Sequence, residues 1–230
     1  TYNFEREKAA PAALFFAKKQ YAYYVVNNEG FDVPPEKRMK YTGLKVVRSE
    51  YSPMVKDMMN ELYHTVLSQY QKLGHKKCGV VVSDIVKKHK KAFEEGSFYD
   101  ISKRQKANNI KKYEDGFVGR YKHGLHCPAQ VNAAICHNRL IDDLGLQGKY
   151  TKHQGGAKVL WVYTLDNKYG IKNVAGNNEI LPPEFGLEID VTKQFEKLYL
   201  PVALQLFNVI GWDFPNIHYE EAVDLNDLMM

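Results

Sequence analysis

The chain has 230 residues, 44% hydrophobic and 13% aromatic, which provides a core for one large domain or two small ones and excludes a disordered tail. Its net charge of +5 conceals an asymmetry: residues 1–120 carry 23 Lys and Arg against 14 Asp and Glu, and residues 121–230 carry 9 against 13. The basic half suits a phosphate backbone and the acidic half does not. No apolar run approaches the roughly 20 residues that span a bilayer, so no membrane partner is expected. Three cysteines (Cys78, Cys127, Cys136) are too few and too odd in number for a disulfide scaffold, and they fit a reducing cytoplasm. The first residue is Thr1 and no signal-peptide pattern follows, so the start reads as a cut into a longer protein.

Residues 14–28 alternate as a strand and end at the turn signal Asn27-Asn28-Glu29-Gly30. Lys18 and Lys19 lie inside this apolar, aromatic run. In a continuous strand they project from opposite faces, so at least one ammonium sits beside aromatic surface, which points to a polyanion. Residues 31–39 read as an irregular loop. Lys40–Tyr51 returns as a second strand, antiparallel to the first. Ser52-Pro53 then starts a helix, with serine as cap and proline in the first turn. Val55, Met58, Met59, Leu62, Val66 and Tyr70 follow at helical spacing, and Gly74 stops it. A second helix is predicted from Ser83 to about Glu95, with Lys87, Lys88, Lys90 and Lys91 on its basic side.

Residues 97–124 read as basic loop. Cys127-Pro128 opens a third helix that runs to Gly145. Ala157–Leu165 is a buried strand, and residues 166–187 are loop. A last helix spans roughly Asp190 to Val209, where Pro201 kinks or splits it. The fold class expected is α+β: a small antiparallel β element followed by a mainly helical domain.

Recognisable catalytic patterns are missing. There is no Gly-rich phosphate loop, GxSxG or HExxH. His123, His126, Cys127, Cys136 and His137 are zinc-type residues without the spacing of paired ligands, so no metal site is assigned. Asp142-Asp143 face different directions near a helix end, and no Asp-x-Asp lies on a strand.

The order of three segments is informative. Phe4-Glu5-Arg6-Glu7-Lys8, then Ala17-Lys18-Lys19-Gln20-Tyr21, then Gly43-Leu44-Lys45-Val46-Val47-Arg48-Ser49-Glu50-Tyr51-Ser52-Pro53, resembles the C-terminal part of the palm of family B DNA polymerases, entering the thumb at Ser52-Pro53. Ala107-Asn108-Asn109-Ile110-Lys111-Lys112-Tyr113, with Gly116-Phe117-Val118-Gly119 and Cys127-Pro128, is similar to the thumb of the replicative polymerases of tailed bacteriophages. The resemblance implies a palm piece over residues 1–51, a thumb over 52–217 and a tail over 218–230 that resembles a sliding-clamp-binding peptide.

It also implies roles. Lys18, Lys19 and Tyr21 touch the minor-groove side of primer–template, where acceptors recur at every base pair. Gln20 stands where the family usually has arginine. Asn108, Asn109, Lys111, Lys112 and Tyr113 contact phosphates, with Lys103, Arg104, Lys106 and Lys197 as further basic positions. Leu225, Leu228 and Met229 anchor the tail in the clamp. The family's catalytic and exonuclease acids lie N-terminal to this segment. The chain therefore needs an N-terminal partner carrying those acids, holds no cofactor itself, and leaves Mg2+ to the absent palm site. Two other readings of the same residues stay open: a free-standing basic nucleic-acid module, RNA included, and a structural domain whose basic face is only solvated.

Overall fold

The computed structural model describes residues 7–124 and 126–217. Its fold class is α+β. The chain begins with five short strands, β1 (Lys8–Ala9), β2 (Ala12–Ala17), β3 (Gln20–Tyr24), β4 (Asn27–Asn28) and β5 (Phe31–Asp32), followed by β6 (Met39–Thr42). They form two antiparallel three-stranded sheets, ordered β1-β4-β5 and β2-β3-β6. The second sheet pairs the two predicted strand segments as expected, through β3 and β6.

Two expectations change here. The strand predicted over residues 14–28 is a hairpin. A register shift lies between Phe15 and Ala17, Ala17 pairs with Gln20, and Lys18-Lys19 become its two turn residues. The lysines therefore do not project from opposite faces of a strand; both are exposed at a hairpin tip. Lys19 takes a left-handed φ of 61°. The second predicted strand also stops early, at Thr42, and Lys45–Val47 forms a 3-10 turn.

Helix α1 (Pro53–Glu94) starts as predicted: Ser52 Oγ accepts from the Val55 amide at 3.2 Å, and proline occupies the first turn. Gly74 (φ 74°, ψ 169°) breaks it into arms over 53–73 and 75–94, so the second arm begins eight residues before Ser83. The arms are bonded to each other. His89 Nε2 donates to Glu61 Oε2 at 2.9 Å, and Lys88 Nζ donates to Glu61 Oε1 at 3.2 Å.

The stretch read as basic loop holds three elements: α2 (Phe98–Ile101), β7 (Lys103–Lys106) and α3 (Ile110–Glu114). Periodicity could not reveal β7, because Lys-Arg-Gln-Lys has no apolar alternation. Helix α4 (Ala129–Asp143) and β8 (Lys158–Tyr163) lie where expected, and β9 (Asn173–Ala175) interrupts the predicted 166–187 loop. The last helix is split, as its proline required, into α5 (Val191–Leu198) and α6 (Leu200–Ile210).

Two apolar masses hold these parts. One joins Leu14, Ala22, Leu44 and Val46 to both arms of α1 and to α5 and α6, so it runs across residue 52. The other packs α4 on the sheet β7-β8-β9. No helix among the described residues is long and apolar enough to cross a membrane.

Buried histidines tie elements together in both masses. His89 Nδ1 accepts from the Tyr199 hydroxyl at 2.6 Å while its Nε2 holds Glu61. His89→Ala leaves a buried hydroxyl unpaired and opens a cavity, so it should cost about 3 kcal/mol in urea unfolding; an unchanged midpoint would mean the relay adds nothing.

In α4, His137 Nδ1 donates to the Ala175 carbonyl at 2.8 Å, and its Nε2 lies 3.2 Å from the Thr151 carbonyl. Burial, with His153 stacked 4.4 Å away, pushes His137 down from 6.5 to about 4. Unfolded, the imidazole takes its proton near pH 6.5; folded, it resists until about pH 4. Stability present above pH 6.5 should therefore fall by about 3 kcal/mol as pH drops through that window. His137→Gln should lose this part of the pH dependence in denaturation curves at pH 7 and pH 4.5.

Candidate nucleic-acid interface

The turn of the β2-β3 hairpin rests on Gly43. A Cβ there would collide with the Lys19 carbonyl, and Gly43 itself has φ +65°. Two residues on, Lys45 is half-buried. Its pKa is lowered, first by burial and then by the neighbouring charges of Lys103 and Arg48. Lys103 opens β7, which is stitched to the segment before α1: the Arg104 backbone amide donates to the Glu50 carbonyl at 2.9 Å, and the Gln105 side-chain Nε2 to the Glu50 carboxylate at 3.2 Å. Lys106 closes β7 directly opposite Lys158 of β8.

Beyond that pair the strands part. The Ala107 amide donates to Ala157 O and the Gly156 amide to Ala107 O, both within 2.9 Å. They open an exposed groove of about 870 Å³ lined by Asn108, Asn109, Lys111, Lys112, Gln154 and Gly155. Asn138 fixes the far wall by bonding both the amide and the carbonyl of His153, at 2.7 and 2.9 Å.

A path of cations thus runs from Lys18 and Lys19 through Lys45, Arg48 and Lys103 to Lys106, Lys158, Lys111 and Lys112, with Lys103 and Lys106, three residues apart on β7, projecting from opposite faces of that strand. None of these forms an ion pair with an acid among the described residues. Glu50 is the acid that acts on Lys45, raising its pKa against the larger lowering influences. Elsewhere acids do pair: Glu61 with Lys88, Asp143 with Arg120, Glu184 with Lys149, and Asp142 with Lys152.

The fold brings Lys18, Lys19, Lys103, Lys106, Asn108, Asn109, Lys111 and Lys112 onto this path. Other expected contacts are engaged differently. Arg104 stacks its guanidinium 4.1 Å over the Tyr99 ring and donates to the Tyr99 hydroxyl and carbonyl, so much of its side chain supports α2. Tyr113 is half-buried against His123, whose Nε2 lies 3.1 Å from the Tyr113 carbonyl. Tyr21 sits between Phe15 and Tyr23, with centroids 6.0 and 5.8 Å away, on the face of the hairpin sheet turned from α1. Lys197 is exposed on α5, with no bond to the path. Leu225, Leu228 and Met229 lie outside the described residues, as does Phe4-Glu5-Arg6 of the N-terminal motif.

Lys45, Arg48 and Lys158 were not among the expected contacts, although Lys45 and Arg48 lie in the Gly43–Pro53 segment; tertiary pairing places them beside residues that were. No group of three His, Cys, Asp or Glu side chains that could hold a metal ion is found among the described residues. Asp142 and Asp143 are turned to Lys152, Arg120 and Tyr121. Of the zinc-type residues, His137 is bonded to carbonyls and Cys136 is buried, its thiol pushed up to about 12 by burial.

Gly43→Ala should strain the backbone and push the hairpin tip off its support. We expect a loss of about 1–3 kcal/mol in thermal or urea unfolding, together with weaker nucleic-acid binding; Gly156→Ala, also at positive φ but with open space around its Cβ, should cost less.

Searched against protein-family models and against curated proteins, the chain matches no family and no relative.

Proposed function

We propose that this chain grips double-stranded DNA by its backbone, as the C-terminal palm-and-thumb part of a family B replicative polymerase. The observation that supports this most is the run of unpaired cations contributed by separate elements, from the hairpin tip to the Asn108–Lys112 groove. Phosphate contacts of this kind fix position and carry no sequence information, as a polymerase requires. The hairpin lysines are donors suited to the recurring minor-groove acceptors. Template-directed synthesis then belongs to an N-terminal part holding the aspartates and Mg2+. The tail over 218–230 would reach a sliding clamp, and the setting would be the cytoplasm.

One feature favours a second reading. Phe15 is 71% exposed and forms a ladder with Tyr21 and Tyr23. A free-standing module could stack unpaired bases there.

Fluorescence anisotropy with labelled primer–template, blunt duplex and single strands separates the two. Duplex affinity should fall steeply with salt, and Lys111→Ala with Lys112→Ala should lower the salt slope by roughly one per lysine. A clear single-strand preference would favour the stacking module. Failure to bind any nucleic acid at about 50 mM salt would leave only a solvated basic face. Nucleotide incorporation by the isolated chain would remove the need for a partner.

A further inference from the structure

The register of β7 and β8 sets Lys106 directly opposite Lys158. Opposed residues of an antiparallel pair project from the same face with Cβ atoms about 4.5–5.5 Å apart, and like charges in that position destabilise the pair. Two acids are near: Glu50 lines the same groove, its carboxylate accepting from the Gln105 side-chain amide at 3.2 Å, and Glu179 borders the next groove with Lys158. Neither lysine forms an ion pair among the described residues.

Arg104 lies two residues back from Lys106 on the same face, and its Nε is buried without a hydrogen-bond partner. The groove between Ser49 and Gln130, about 340 Å³, is bordered by all three cations. Ser49 and Gln130 bring neutral donors to its walls.

We infer that Lys106 and Lys158 form a clamp for one phosphodiester of the bound duplex, and that their mutual repulsion is relieved when the clamp is filled. This rests on the duplex-binding reading above and adds a site to it. Stability and affinity then oppose each other at these two positions. Removing either lysine stabilises the empty protein and weakens the complex. Two independently solvated lysines would do neither.

The test uses Lys106→Met, Lys158→Met, the double variant and Lys158→Arg, with thermal unfolding of the free chain and anisotropy against duplex over a salt series. Each single Met variant should raise Tm by about 1–2 °C, and the double variant should add little more, because the repulsion is gone after one substitution. Each should weaken duplex binding about three- to tenfold and lower the salt slope by roughly one. Lys158→Arg should behave as wild type.

Tm gains that simply add would mark a change in strand propensity and overturn the clamp. So would a Lys158→Met chain that binds duplex as wild type does. Inorganic pyrophosphate at matched ionic strength, raising Tm as much as duplex and losing that effect in Lys158→Met, would make the occupant a free anion and overturn the duplex assignment. A wild-type chain that does not bind duplex overturns both this inference and the reading it rests on.

Discussion

The positive path exists because residues 50–52 sew two sheets together. Glu50 gives its carbonyl to the Arg104 amide and its carboxylate to Gln105. Ser52 donates its hydroxyl to the Asp100 carbonyl while capping α1. Tyr51 and Ser52 are buried, so this junction cannot slide without exposing them. It fixes the end of the hairpin sheet against the start of β7. Without it, Lys45 and Lys103 would belong to separate surfaces, and their charges would not act on one another.

The junction is held in turn by the apolar spine of α1. Val55, Met59, Leu62 and Tyr63 are buried in the same core as Leu14 and Ala22 of the hairpin and Phe207 of α6. Phe16 and Tyr41 bring their rings within 5.6 and 5.7 Å of Tyr63. The inward face of the hairpin sheet is therefore spent on packing, which leaves Phe15, Tyr21 and Tyr23 on the outer face beside the lysine turn. Backbone-level chemistry thus puts aromatic rings and ammonium groups at one edge.

What could be read in the sequence was local. Ser52-Pro53, Gly74 and Pro201 act on their own backbone, through a cap, a left-handed residue and a missing N–H, and each does so where it was expected. The Lys18-Lys19 turn was hidden because hairpin turns with positive φ are usually announced by Gly or Asn, and here Lys19 adopts that φ. Strand β7 was hidden because its apolar partners, Val159 and Trp161, belong to β8. The charged residues of the interface were legible as a basic region but not as a path. Tyr113 was expected beside Lys111 and Lys112 and Arg104 among the further basic positions, and packing against His123 and Tyr99 sets both apart. Lys158, far along the chain, has no signal apart from its strand register.

The distribution of local costs follows the same line. Four non-Gly residues among the described ones hold positive φ, which disfavours most L residues: Lys19 (61°) and Asn109 (58°) on the path, Glu29 (52°) and Asn178 (54°) off it. Also on the path, Lys45 is a partly desolvated lysine among other cations, and Lys106 opposes Lys158. Around α4 and in the helical arms some cations are matched to acids, Arg120 to Asp143, Lys149 to Glu184 and Lys88 to Glu61, while Lys56, Lys72 and Lys91 of the arms form no ion pair among the described residues. The path is distinguished not by holding all the unmatched cations but by bringing cations from separate elements close together, Lys45 to Lys103 and Lys106 to Lys158. A polyanion laid along that route would offset the repulsion at each step, and because it needs no base-specific contact to do so, the same offset would be available at every register of a moving duplex.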